Sequence, residues 1–312
     1  MHRGEDHHTP TDGPPDQGSR ALPTDGVLRF RDKSFPAGSQ LVMAIVNRTA
    51  DSFYDHGATW DPGRASARVD EVIAQGADIL DIGGVKAGPG ETIDEAEEIR
   101  RTVDFIAAVR DRHPRIVISI DTWRSTVAAL ALEAGADLIN DVWGAHDRGI
   151  IEVAARYDAA LVCAHTGGLA PRTGPFRVEY DDVVADAITA ITGLAETARR
   201  TGVATESIII DPAHDFGKNT WHSLEITRRL AELVDTGWPV LVSVSNKDFL
   251  GETLDLPVSE RVPATLAATA VCAWQGATIH RVHQVAEVRQ VVDFVAAARG
   301  DRDPARTVRG LV

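Results

Sequence analysis

The sequence predicts an α/β protein built as a (β/α)8 barrel, and three observations carry that prediction. Eight short apolar segments recur along the chain, and most are rich in the β-branched residues typical of strands buried on both faces. Amphipathic stretches of helical periodicity lie between them. Turns such as GAD at 76–78 and 135–137 join a helix to the next strand. Eight such units without a glycine-rich first turn favour a closed barrel over its rival, an open doubly wound sheet.

The predicted elements follow one another in strict alternation. The strands are expected at 41–47, 78–83, 116–121, 137–141, 160–165, 207–212, 240–245 and 278–283. The helices are expected at about 63–75, 91–112, 123–134, 148–157, 178–201, 221–236, 259–275 and 284–299.

The amino-terminal segment departs from this rhythm. Residues 1–26 contain four glycines, four prolines and few apolar residues, which predicts a disordered tail. Residues 27–40 predict a short strand pair that covers the main fold. The barrel itself is expected over residues 41–312.

Charge and composition exclude several classes of function. The chain carries 32 basic and 46 acidic residues, a net charge of −14, and it has no basic run. Such a chain is a poor candidate for binding nucleic acid or an anionic membrane. No apolar stretch is long enough for a membrane span or a secretory signal. The two cysteines, Cys163 and Cys272, form no zinc or disulfide pattern, so we predict a cytoplasmic protein.

Polar residues mark the end of every predicted strand. In a barrel of this kind the active site lies at the carboxyl ends of the strands. Helix capping accounts for single members of this group but not for all eight strands together. The strand-end residues are Asn47, Asp81, Asp121, Asn140 with Asp141, His165, Asp211, Ser245 with Lys247, and Arg281 with His283.

The chemistry of these groups suits a polar heterocycle that carries a phosphate. Asp121, Asn140 and Asp211 offer acceptors that a ring N–H and an exocyclic amino group would satisfy, as at the edge of an aminopyrimidinone. Lys247, one of only four lysines beside 28 arginines, could donate to a ring carbonyl.

Residues at the ends of the last strand and the first strand predict where the phosphate would bind in the same site. Arg281 and His283 are expected to form a cationic pair where barrels of this type bind phosphate. Asn47, at the end of the first strand, could ligate Mg²⁺ on a diphosphate through its amide oxygen.

Seven motifs in chain order resemble the dihydropteroate synthase family over roughly residues 41–295. They are MAIVNRTADSFYDHG (43–57), DIGGVKAGPGE (81–91), SIDTW (119–123), AGADLINDVWG (134–144), IIIDPAHDFGKN (208–219), SVSNKDFLGE (243–252) and IHRVHQV (279–285). The resemblance implies a dimeric (β/α)8 barrel. It also implies an Mg²⁺-dependent reaction that joins p-aminobenzoate to hydroxymethyl-dihydropterin diphosphate and releases pyrophosphate.

The resemblance also implies a role for each matching residue. Asn47 would contact Mg²⁺ or the diphosphate, and Lys247 would bond the pterin carbonyl. The edge of the pterin ring would be held by Asp121, Asn140 and Asp211. Arg281 would cover the pterin face and help to bind the anion, and His283 would bind on the β-phosphate side. The groups that would carry catalysis are Asn47, Lys247, Arg281 and His283.

The departures from the family pattern fall around the second substrate. Asp248 stands where the family uses a serine hydroxyl for the benzoate carboxylate, so we expect either a repulsion between like charges or a side chain that points away. Arg48 and Lys86 are additional cations that could replace the missing loop arginine. The substituted positions are Arg48, Ala50, Tyr54 and His56 in the first loop, Ala87 and Gly88 in the second, and Asn246 and Asp248 after the seventh strand.

The resemblance therefore predicts a dihydropteroate synthase-type protein, and two hypotheses on its activity stay open. The chain is a working dihydropteroate synthase, or it is a silent or repurposed paralogue that binds a pterin without joining it to p-aminobenzoate. A methyltetrahydrofolate-using methyltransferase and a metal hydrolase, the latter suggested by His165, His214 and His283, have less support. A hydrolase of that type usually carries a histidine pair on its first strand, where Asn47 stands.

Overall fold

The computed structural model describes residues 26–36, 38–49, 62–88, 90–174 and 178–310. The predicted tail falls outside these ranges except for Gly26. The substituted first-loop positions Ala50, Tyr54 and His56 also lie outside them.

An antiparallel hairpin begins the described chain. Strand β1 (Val27–Phe30) pairs with β2 (Lys33–Pro36). Leu28 and Phe30 are buried against the apolar residues inside the lower half of the barrel, among them Met43. The hairpin thus plugs the end of the barrel opposite the carboxyl ends of the strands, and the polar groups gather at the other end.

Eight parallel strands form the barrel, which confirms the predicted fold class. The sheet order runs β8, β7, β6, β5, β4, β3, β10, β9, and a bridge between Ile210 and Val240 brings its two edge strands together. The strands are β3 (Leu41–Asn47), β4 (Ile79–Gly83), β5 (Val117–Asp121), β6 (Leu138–Asp141), β7 (Ala160–Ala164), β8 (Ile208–Asp211), β9 (Leu241–Val242) and β10 (Ile279–Val282).

Helices surround the strands and cover their outer faces. Side chains such as Val69, Ile106 and Val288 are fully buried between the helices and the sheet. The helices are α1 (Pro62–Ala74), α2 (Glu95–Arg112), α3 (Ser125–Glu133), α4 (Gly149–Arg156), α5 (Val183–Thr201), α6 (Thr220–Arg228), α7 (Leu230–Val234), α8 (Asp248–Leu254), α9 (Val262–Trp274) and α10 (Val285–Arg299). Within the described residues, no helix combines the length and apolar character needed to cross a bilayer.

Two details differ from the sequence-based prediction. The expected helix at 221–236 is divided at Arg229, whose backbone leaves the helical region (φ −107°, ψ 23°) and whose guanidinium bonds Asp182 at the start of α5. The short helix α8 was not predicted. Its first backbone N–H groups are satisfied by a carboxylate from a distant loop, which local sequence does not reveal.

Candidate functional site

One hydrogen-bonded cluster at the mouth joins four strands, and Asp81 is its centre. The Asp81 carboxylate is fully buried and accepts from Ser119 Oγ at 2.6 Å and from Asn140 Nδ2 at 3.1 Å. Arg281 Nε donates to the same carboxylate at 2.6 Å, and its Nη2 donates to Asp121 Oδ2 at 2.8 Å. The structure therefore brings three predicted site residues together through a fourth that was only noted as a strand-end residue.

The sequence analysis gave Asp81 no binding role, and its position within the strand explains why. It lies in the middle of β4, two residues before the strand ends at Gly83. A carboxylate in the middle of a strand buried on both faces is itself a signal, since such a group needs partners. Here Arg281 and Asn140 are those partners.

The ion pairs of the cluster fix its charges. Burial raises the pKa of Asp121, and the nearby Arg281 opposes that rise. Burial also acts to lower the pKa of Arg281, but Asp81 and Asp121 outweigh it and the pKa is raised. The guanidinium stays positive at the floor of the mouth.

The remaining acceptors of the predicted site are incompletely paired. Burial raises the pKa of Asp211 to about 6, and the N–H of Ala213 and the charge of Lys247 oppose that rise. One Asp211 oxygen accepts from Ala213 N at 2.7 Å. Asn140 Oδ1 is buried and has no hydrogen-bond partner among the described residues, because its amide nitrogen is directed to Asp81. A buried acceptor without a donor is costly, and a ligand N–H would satisfy it.

Lys247 reaches the same side of the mouth from the segment after β9. Its Nζ donates to the carbonyl of His214 at 2.9 Å and lies 4.2 Å from the ring centroid of Phe216. Burial lowers the pKa of Lys247, while Asp215 and Asp211 act against that fall. This lysine is not a solvated surface residue.

The prediction that Arg281 and His283 both carry a positive charge is wrong. Burial, together with the nearby cations Arg281, Arg68 and Lys247, lowers the pKa of His283 to about 3. At neutral pH His283 is therefore a neutral imidazole, with Nδ1 2.9 Å from Ser245 Oγ. Arg281 carries the positive charge alone.

Asn47 ends β3, and it is aligned with Gly83 of the neighbouring strand. Its side chain is partly buried at the mouth. A single neutral amide oxygen suits Mg²⁺, which keeps several waters and relies on substrate phosphates rather than on a cage of protein ligands. Among the described residues, no group of three histidine, cysteine or acidic side chains could hold a metal ion.

The three histidines that suggested a metal hydrolase each bond a different side chain. His165 Nε2 lies 2.8 Å from Asp186 Oδ1, and His214 Nε2 lies 3.1 Å from Thr227 Oγ1. His283 is paired with Ser245 as described above.

Two of the substituted positions, Asn246 and Asp248, have side chains that bond residues outside the mouth. The Asp248 side chain is 80% exposed and accepts from Arg261 Nη1 at 2.8 Å, so the predicted repulsion with a benzoate carboxylate loses its basis. Asn246 is fully buried with a left-handed backbone (φ 56°), and its Oδ1 accepts from Thr265 Oγ1 at 3.3 Å. Neither residue supplies a charge to the mouth.

The two additional cations, Arg48 and Lys86, lie in different surroundings. Arg48 is buried and lies over the ring of Phe105 on α2, 4.7 Å from its centroid. Lys86 lies in the loop after β4, where Arg172 from the loop after β7 donates to the backbone carbonyl of Gly88 at 3.3 Å.

Comparison with known proteins identifies the family to which this chain belongs. A family model described as "Pterin binding enzyme" matches residues 43–283. A Mycobacterium leprae protein named inactive dihydropteroate synthase 2 is 54% identical over 88% of this chain and 96% of its own length. The chain belongs to the dihydropteroate synthase family. The resemblance stated from the seven motifs is thereby confirmed.

Other relatives connect the chain to family members named as synthases. The dihydropteroate synthase of Clostridium beijerinckii is 37% identical over 83% of this chain and 95% of its own length. A crystal structure of Yersinia pestis dihydropteroate synthase with a sulfonamide drug complex superposes with a TM-score of 0.83 at 31% identity, covering 88% of this chain and all of that one. The chain is thus a dihydropteroate synthase-type protein that shares more sequence with the relative named inactive than with this synthase.

Proposed function

We propose that this dihydropteroate synthase-type chain binds hydroxymethyl-dihydropterin diphosphate at the mouth of the barrel. The observation that carries the proposal is the set of incompletely paired acceptors beside a lysine. Asn140 Oδ1 is buried without a donor, and Asp211 and Lys247 lie on the same mouth. The edge of a pterin ring carries N–H and amino donors next to a carbonyl acceptor, so it complements all three groups.

The diphosphate would lie toward Arg281, His283 and Asn47. Arg281 offers a permanent charge, and His283 offers a hydrogen-bonding ring without charge at neutral pH. Asn47 would contribute its amide oxygen to Mg²⁺ held mainly by the phosphates. When bound, that ion would stabilise the negative charge that develops on the leaving group.

We further propose that condensation with p-aminobenzoate is weak or absent. The family reaction needs no side-chain nucleophile, so catalysis rests on fixed charge at the diphosphate and on loops that close over the second substrate. Ala87 and Gly88 offer no charged or hydroxyl side chain in the second loop, and the Asn246 side chain is directed toward α9. The name of the Mycobacterium leprae relative, at 54% identity, points the same way.

A working synthase is the second candidate, and one observation favours it. Asp248 points outward and is paired with Arg261, so the anionic side chain that would repel p-aminobenzoate is absent from the mouth. All seven residues that the resemblance assigns to the pterin and the diphosphate are present.

A pyrophosphate-release assay with and without p-aminobenzoate separates the two candidates. The proposal predicts at most a trace of release that depends on p-aminobenzoate, although the pterin diphosphate binds. An Asp211→Ala variant serves as the matched control, because genuine turnover at limiting pterin diphosphate must fall with it. Robust release that this variant loses would establish the synthase instead.

The assembly we propose is a homodimer in the cytoplasm. Helices α9 and α10 form an apolar groove of about 810 Å³. Along it, the exposed fractions of Val271, Trp274 and Phe294 are 47%, 59% and 73%. A second copy would cover these side chains, which are costly to leave in water. Both cysteines are free and buried, as suits a reducing compartment.

A further inference from the structure

The loop between β8 and α6 holds the segment that carries Lys247. Residues 214–216 contact residues 247–249 in several independent ways. The carbonyl of His214 accepts from Lys247 Nζ at 2.9 Å, and the ring of Phe216 lies 4.2 Å from that nitrogen. The ring of His214 also stacks on Phe249 at 5.5 Å between centroids.

Asp215 supplies the contact that fixes the backbone. Its Oδ2 accepts from the backbone N–H of Asp248 at 2.8 Å and from that of Phe249 at 3.3 Å. Its Oδ1 accepts from Ser223 Oγ at 3.1 Å, so the carboxylate is anchored to α6 as well. The carboxylate thereby ties α8 to α6, and Lys247 is the residue immediately before α8.

The backbone of Asp215 is held in a conformation that a side chain disfavours. Its φ of 68° lies in the left-handed region, where glycine is usual and aspartate is tolerated. Such a conformation persists only where surrounding contacts require it. The carboxylate contacts with α6 and with the start of α8 are those that this conformation makes possible.

We propose that Asp215 is a positioning residue whose carboxylate fixes both the place and the positive charge of Lys247. The inference rests on the proposed function, in which Lys247 binds the pterin carbonyl, and it adds a residue that the motif comparison did not assign.

Electrostatics support the geometry. Burial lowers the pKa of Lys247, and Asp215 is the largest influence in the opposite direction, ahead of Asp211 and Asp248. Arg281 lowers the pKa of Lys247 further, and the charge of Lys247 acts in turn on its neighbours Lys218, His214 and His283. Removing the charge of Asp215 is therefore expected to lower the pKa of Lys247.

The chain offers a direct readout, since it has only four lysines. Lysine labelled with ¹³C gives four side-chain signals, and the signal of Lys247 is assigned by its loss in Lys247→Arg. Asp215→Asn keeps an acceptor oxygen and tolerates the left-handed backbone but removes the charge. Asp215→Gly fits the backbone and removes both charge and contact. Asp248→Asn is the matched control, because it removes an exposed carboxylate next to Lys247 in sequence.

We expect the titration midpoint of Lys247 to fall by about one pH unit in Asp215→Asn and at least as far in Asp215→Gly. Asp248→Asn should leave it nearly unchanged. Affinity for hydroxymethyl-dihydropterin diphosphate should fall about tenfold in the Asp215 variants, and its loss with rising pH should begin at a lower pH than in the wild type.

An unchanged Lys247 midpoint in a folded Asp215 variant overturns the inference, and either variant suffices if only one folds. The proposed function is tested separately by the wild type. If the wild-type chain does not bind the pterin diphosphate but the Lys247 midpoint still shifts, the proposed function fails and the role of Asp215 stands.

Discussion

The two ends of the barrel mouth are built differently. At the pterin end, the groups lie on strands β4, β5, β6, β8 and β10 and are joined by hydrogen bonds through Asp81 or held close to Lys247. At the second-substrate end, the substituted residues lie in loops or at the start of α8. There Arg48, Asn246 and Asp248 are directed into the helix layer or out to solvent.

This difference separates residues whose side-chain direction is set by strand pairing from residues whose direction is not. Parallel pairing fixes the side of the sheet on which a strand residue lies, so the side chains of Asp81, Asn140 and Arg281 meet at the mouth. A residue in a loop or at the start of a helix is free of that constraint, and Asp248 at the start of α8 bonds Arg261. The groups at the pterin end therefore lie together, whereas the side chains of Arg48, Asn246 and Asp248 at the other end have partners outside the mouth.

The largest effect is expected at the pterin end. Asp211→Ala removes a buried acceptor that the pterin donors need, and we expect a loss of affinity of roughly 1–3 kcal/mol, or about fivefold to 150-fold. Calorimetric titration with hydroxymethyl-dihydropterin diphosphate measures it. Equal affinity in wild type and variant would show that the pterin does not bind at Asp211.

A change at the other end should damage stability without gaining a substrate. Asn246→Arg would restore the family residue type, but the side chain at 246 is fully buried against Thr265 with φ 56°. Overpacking there should cost about 1–3 kcal/mol of unfolding free energy. Chemical denaturation monitors this, and Gly88→Arg in the second loop is the comparison variant. A stable Asn246→Arg protein with new affinity for p-aminobenzoate would refute the contrast between the two ends.

The pH dependence of binding should sharpen the contrast further. Burial raises the pKa of Asp211 to about 6, so this carboxyl is ionised above that pH and neutral below it. Affinity for a pterin alcohol without a titrating diphosphate should be constant above about pH 7 and fall as the pH drops through 6. Asp211→Asn should bind more weakly and lose that step. A wild-type profile that stays flat from pH 5 to 8 contradicts an acceptor role for Asp211.

The smallest effect is expected from Asp248→Ser. The carboxylate is 80% exposed in its pair with Arg261, so its removal should change stability by less than about 1 kcal/mol. Pterin affinity should stay within about twofold of the wild type, as measured in the same titration. A large gain in p-aminobenzoate binding would show that Asp248 turns into the mouth in solution.

The sequence predicted the barrel and the pterin end for the same physical reason. Alternation of apolar strands and amphipathic helices defines which strand ends share a mouth. The sequence alone therefore predicts that Asp121, Asn140 and Arg281 lie together. The sequence could not show where side chains outside the strands point or how deeply they are buried. The outward turn of Asp248, the burial of Arg48 and the neutral state of His283 each depend on contacts between segments far apart in the chain.

The contacts of Asp215 belong to the same class. The residue before helix α8 does not cap it with its side chain. Instead, the first backbone N–H of the helix donates to a carboxylate that lies 33 residues earlier in the chain. Only the three-dimensional arrangement reveals that connection.

A two-step calorimetric titration tests whether the mouth binds the pterin diphosphate but not p-aminobenzoate. Hydroxymethyl-dihydropterin diphosphate with Mg²⁺ is added first, and p-aminobenzoate is then added to the saturated protein. We predict clear saturable binding in the first step, markedly weakened in Asp211→Ala, and no measurable binding or turnover heat in the second. Saturable p-aminobenzoate binding with sustained heat of reaction would contradict the account and establish a working second-substrate site.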